Sequence, residues 1–186
     1  MIADPRKAAV LTEVFAEAYR TALNLKSSLD RLGGRFPLSP EQIEHLDEDA
    51  KDRLDAFRVR FTDLQDVLGG KLFRSLLYLE EEEPGSMLDI LHQVEKRGLI
   101  PSLDAWRALR DVRNLLIRDY PKSAVERAEA LTTAFREAPA LLRILWNLHR
   151  YLHEHLGLDL EALPPGMDTW GTLPSGKTVP SPPQKT

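Results

Sequence analysis

A chain of 186 residues, 42% of them hydrophobic, is long enough to bury one core, and it reads as one domain with a tail. Its net charge of −4 and isoelectric point near 5.8 exclude a global basic field, so any RNA contact must be local and no DNA partner is expected. Cysteine is absent, which excludes disulfides and thiolate metal sites; with no apolar run near the ~18 residues of a membrane span and no signal-peptide core, a soluble, cytoplasmic protein is expected.

Asp4 and Pro5 form a helix start, an N-cap followed by proline at the first helical position. Val10, Val14, Ala18, Leu25 and Leu29 recur at helical spacing, with Leu11, Phe15, Ala22 and Leu32 beside them, and Gly33-Gly34 ends the helix. Ser39-Pro40 opens a second helix, Gln42 standing where a capping box needs it. Ile43, Leu46, Ala50, Leu54, Phe57, Phe61, Leu64 and Leu68 carry that helix unbroken to Leu68. Gly69-Gly70 allows a kink or break, and 71–79 resumes helically. The acidic run Glu80 to Glu83, followed by Pro84-Gly85, reads as a solvated turn, since a divalent-metal site would need a ligand spacing it lacks.

Ser86 caps a short helix running to Arg97 and closed by Gly98, and Ser102 caps the next. Beyond Pro121 a helix carries Val125, Ala128, Leu131 and Phe135; Ala138-Pro139 marks a kink or a fresh start before Leu141 to Leu156, and Gly157 ends it. No stretch alternates as a half-buried strand would. The predicted fold is therefore all-α: an up-and-down antiparallel bundle of about five helices over 1–163. Residues 164–186 are proline-rich and are expected to be disordered or loosely docked, with Trp170 packing back.

Several motifs carry little. Gly171 to Thr178, GTLPSGKT, has P-loop spacing, but no strand precedes it and no helix follows, so it reads as a chance match. His149 and His153 lie four apart on one helix, without a third ligand or an intervening H-E-x-x-H glutamate, so no metal is expected. His92 falls near a helix's apolar edge and reads as a core or interface side chain, and His45 sits among acids. Trp106 and Trp146 stand at helical spacing with leucines and read as core or dimer-interface anchors. No cofactor is implied.

The stretch Arg107 to Pro121, RALRDVRNLLIRDYP, is the informative one. Ala105, Leu109, Val112 and Leu116 make an apolar stripe, and Arg107, Asp111, Asn114 and Arg118 line the opposite side. Arg113 and Tyr120 fall together on the border, and Arg110 adds a fourth arginine. Tyr120-Pro121 interrupts the helix, because proline disfavours the α conformation of the residue before it. Such a cluster suits phosphates or a partner's carboxylates; the plainer reading is a charged face with an Arg107–Asp111 pair at i+4.

Within it, RNLLIRDY (Arg113 to Tyr120) resembles the signature of HEPN domains of the HepT type: Arg-Asn, three residues, His, one residue, Tyr. The resemblance extends through FTDLQDVLGGKLFRSLL (Phe61 to Leu77) and LDILHQVEKRGLI (Leu88 to Ile100), covering roughly Asp4 to Leu156. It implies a homodimer with a cleft that cuts single-stranded RNA without metal through the 2′-hydroxyl. It also implies a toxin–antitoxin pairing with a minimal nucleotidyltransferase that adenylylates the motif tyrosine. Carried over, Arg113 would contact the scissile phosphate, Asn114 would position groups in the cleft, and Tyr120 would be the modification site. Arg107, Arg110, Arg113 and Arg118 would hold RNA phosphates. Arg118 stands where the motif has histidine. Arginine has no acceptor lone pair and keeps its proton far above neutral pH, so it cannot act as a general base there. The resemblance thus implies an endoribonuclease scaffold with weakened or lost cleavage, or an inactive module that binds a nucleotidyltransferase or another protein.

Overall fold

The computed structural model describes residues 4–118, 120–158 and 160, so the readings of Trp170, of the GTLPSGKT stretch and of the tail lie outside the described residues. The described chain is all-helical: α1 (Pro5–Leu32), α2 (Pro40–Glu44), α3 (Glu48–Val67), a π-helical turn (Leu68–Leu72), α4 (Phe73–Leu79), α5 (Met87–Lys96), α6 (Leu103–Ile117) and α7 (Ala124–Leu156). No helix among the described residues is long and apolar enough to cross a membrane.

Local chemistry sets most boundaries. The Asp4 carboxylate accepts from the Arg6 amide at 2.8 Å, and Ser39 with Gln42 forms a complete capping box. Ser86, Ser102 and Ser123 each accept an amide from the first turn of α5, α6 and α7. Gly157 closes α7 at φ 63°, a left-handed conformation that glycine adopts without a Cβ penalty.

Three expectations need correction. The helix predicted over Ser39 to Leu68 is two, because Asp47 restarts it: its carboxylate takes the Ala50 amide at 2.7 Å, a cap that ends α2 at Glu44. Of the kink or fresh start expected at Ala138-Pro139, the fresh start does not occur: α7 runs through with Pro139 buried. In α1 the buried row is Leu11, Phe15, Ala18, Ala22, Leu25, Leu29 and Leu32, whereas Val10 is exposed and Val14 is half-buried.

Side-chain ties fix the packing. α3 runs antiparallel to α1, with Arg60 Nη1 2.8 Å from Ser28 Oγ and, within the π turn, Lys71 Nζ 2.8 Å from Glu17. α6 runs antiparallel to α3: Arg58 donates to the Leu116 carbonyl at 2.7 Å, and Arg113 pairs with Asp66. Phe36 stacks on Phe135 at 4.1 Å, with Phe57 edge-on, which pins α7 over α3. In α6, Trp106, Leu109, Val112 and Leu116 are buried, each contributing ~1.5–3 kcal/mol by removal from water. Anchoring that stripe turns Arg107, Arg110, Asp111 and Arg118 outward.

The acidic turn is not merely solvated. Arg97 donates to Glu80 at 2.8 Å and to Glu82 at 2.7 Å, and the Tyr151 hydroxyl reaches Glu80 at 2.5 Å. Burial and the hydrogen bond to Glu80 push the Tyr151 phenol up.

Candidate phosphate-binding cleft

Along α6, Arg110, Arg113, Asn114 and Arg118 lie at helical spacing and share one side of the helix. Facing them are the end of α3 and the π turn, which contribute Gln65, Asp66, Gly69 and Gly70, with Trp106 and Met87 completing the wall. The cleft encloses about 380 Å³. Gly69 is required here by close approach: a Cβ at that position would stand 2.7 Å from Trp106 Cζ2. The glycine lets Trp106 sink into the core, where it is 2% exposed, and so sets the cleft floor.

Within the cleft, Arg113 is held by Asp66 in a bidentate pair, Nε to Oδ1 at 3.0 Å and Nη2 to Oδ2 at 2.6 Å. Its Nη1 also donates to Asn114 Oδ1 at 3.3 Å, which leaves the NH₂ end of that amide as a donor. The hydrogen bond that Arg113 donates to Asp66, more than offsetting burial, raises the Arg113 pKa still further. Arg110 and Arg118 are exposed and have no ion-pair partner among the described residues. Among the described residues, the cleft wall thus carries three guanidiniums against one carboxylate, a balance that attracts an anion. No histidine lines it.

Two predicted members stand elsewhere. Arg107 is outside the cleft wall; it reaches Asp104 at 3.4 Å rather than Asp111. Tyr120 is separated from Arg113 because α6 ends at Ile117, so the helical spacing that placed them together no longer holds three residues on. Its ring lies under Arg58, whose guanidinium carbon is 3.5 Å from the ring centroid, on the wall of a different cavity. Burial raises the Tyr120 phenol's pKa, opposed by Arg58 and Arg127 and reinforced by Asp55.

Among the histidines, His92 and His45 are exposed, which removes a core role for His92. His149 is wedged between Phe15, Trp146 and His153, its Nδ1 buried without a hydrogen-bond partner among the described residues. No cluster of three metal-ligating side chains occurs among the described residues.

The sequence reading missed Asp66, Gln65 and Arg58 as site members. For Gln65 and Asp66 the only signal lay in the stretch Phe61 to Leu77, and nothing local marks α6 as the partner of Asp66; Arg58, on the neighbouring cavity, lies outside that stretch. In comparison with known proteins, the chain matches no family model, no curated sequence and no solved structure.

Proposed function

We propose that this chain is a HepT-like HEPN protein whose arginine cleft binds the phosphates of single-stranded RNA, at a homodimer interface, with cleavage weakened or lost. The carrying observation is the convergence of Arg110, Arg113, Asn114 and Arg118 on one cleft. Two guanidiniums without an ion-pair partner among the described residues, and a third that can exchange a carboxylate for a phosphate, suit bidentate recognition of a phosphodiester.

The chemistry explains the loss. Attack of a 2′-oxygen on the adjacent phosphorus requires a group that removes its proton and one that protonates the departing 5′-oxygen. Arg118 accepts no proton, and both oxygens of Asp66, the single carboxylate on the wall, are engaged by Arg113. The arginines can still stabilise charge on the phosphate. In this reading a minimal nucleotidyltransferase is the partner, and Tyr120 is its modification site.

The second reading, a helical interaction module without nuclease activity, is favoured by the Arg113–Asp66 pair, which gives the motif arginine a structural use. Cleavage and binding of a labelled single-stranded RNA by the wild type, Arg118→His and Arg113→Ala separate the two. The expected outcome is binding without cleavage by the wild type, cleavage by Arg118→His, and weakened binding by Arg113→Ala. Robust Arg113-dependent cleavage by the wild type would overturn the loss of activity. Absence of RNA binding in all three would leave the interaction module.

A further inference from the structure

A second cavity, of about 250 Å³, lies between α2, α3 and α7 beside Tyr120. Its apolar lining is Ile43, Leu46, Leu54 and Leu131. Interleaved with them are Lys51, Arg58 and Arg127, against one carboxylate among the described residues, Asp55. Asp55 is already engaged by Arg58 at 2.7 Å, and Lys51 makes an i,i+3 pair with Glu48 at a solvent-exposed position, a contact easily exchanged.

Arg127 is different. It stands in the first turn of α7, near the positive end of a 33-residue helix, and has no ion-pair partner among the described residues. Its Nε is buried with no hydrogen-bond partner among the described residues. A guanidinium N–H withdrawn from water without an acceptor is costly, and buried donors in folded proteins are nearly always satisfied. Arg127 lines the cavity, so an anion there meets its guanidinium charge, and the apolar residues accommodate a small organic group attached to that anion.

We propose that this cavity is a phosphate-binding site, separate from the arginine cleft, that takes inorganic phosphate or the phosphate of a small monoester through Arg127 and Lys51. Arg58, locked between Asp55, the Leu116 carbonyl and the Tyr120 ring, adds fixed positive charge. The site does not depend on RNA binding, and Asp66 stands eight positions beyond Arg58 along α3, about 12 Å of helix.

The test is thermal unfolding of the full chain with inorganic phosphate or AMP against sodium chloride at matched ionic strength. Wild type, Arg127→Leu, Lys51→Gln and the double variant Arg110→Ala/Arg118→Ala are compared. At ligand about tenfold above Kd, the wild type and the double variant rise by about 3–5 °C. Arg127→Leu loses the rise, and Lys51→Gln, an exposed substitution that leaves folding intact, needs several-fold more ligand. Tighter binding of AMP assigns a monoester as ligand, and equal binding assigns the phosphate alone. No rise in the wild type, an undiminished rise in both Arg127→Leu and Lys51→Gln, or a rise lost only in the double variant overturns the proposal.

Discussion

Arg113 and Asp66 meet in a planar two-bond pair across the α3–α6 contact, and that pair sets how much positive charge the cleft offers. Asp66→Asn keeps the shape but removes the competing carboxylate. The pair is partly exposed, so the stability cost is expected at about 1 kcal/mol or less, while RNA affinity rises a few-fold. Fluorescence anisotropy with labelled RNA, beside urea unfolding, measures both; unchanged or weaker RNA binding would count against a phosphate role for Arg113. Asp63, whose carboxyl is pushed up by burial and by Asp66, loses the second influence in the same variant.

Gly69 and Gly70 are neighbours with opposite tolerance. A methyl group at Gly69 collides with Trp106, whereas at Gly70 nothing lies within 4 Å. Gly69→Ala is expected to destabilise by about 1–3 kcal/mol through overpacking. Gly70→Ala is expected to be neutral or to stabilise by up to about 1 kcal/mol, by reducing the freedom of the unfolded chain. Chemical denaturation of the two variants decides; equal effects would show that Trp106 can shift at no cost.

The acidic turn depends on Arg97. The Arg97 and Glu80 side chains are only 12% and 13% exposed, so removing the cation strands a carboxylate. Arg97→Ala is expected to cost about 2–4 kcal/mol, and Tyr151→Phe, which deletes one hydrogen bond to Glu80, about 1 kcal/mol. Reversal of that order in thermal unfolding would mean that Tyr151, not Arg97, holds the turn.

His149 makes stability depend on pH. Burial, with a smaller contribution from His153, holds its pKa below the ordinary 6.5. The unfolded chain therefore binds the proton more readily, so this contribution is complete above about pH 6.5 and declines as pH falls through the depressed folded value. Between pH 7 and pH 5.5 the wild type should lose Tm more steeply than His149→Phe, which fits between Phe15 and Trp146 without a titrating group. Parallel Tm profiles would sink the assignment.

Features encoded within a few residues were legible in the sequence: the caps at Asp4, Ser39, Ser86 and Ser102, the all-helical class, and the α6 stripe of Leu109, Val112 and Leu116. Asp47 was not, because an aspartate inside a regular apolar pattern suits an exposed helix position as well as a new cap. Asp66 was not, because its partner lies 47 residues away and periodicity names a buried face without naming what covers it. The same blindness hid Glu80, 17 residues from Arg97 and 71 from Tyr151. Tyr120 differs for another reason: helical spacing sets it beside Arg113 only while the helix continues, and the backbone leaves the helix after Ile117.

In the π turn the Phe73 amide bonds back to Leu68, five residues earlier, so α3 and α4 form one rod with an extra residue wound into it. Each residue of an α-helix advances the side chains by about 100°, and the insertion offsets the two halves by roughly that angle. Asp66 can then address α6 while Lys71, five positions on, reaches Glu17 on α1. Deleting Gly70 would therefore act like slipping one tooth on a gear: α4 would turn against its neighbours, and the two ion pairs could not both be kept in mesh.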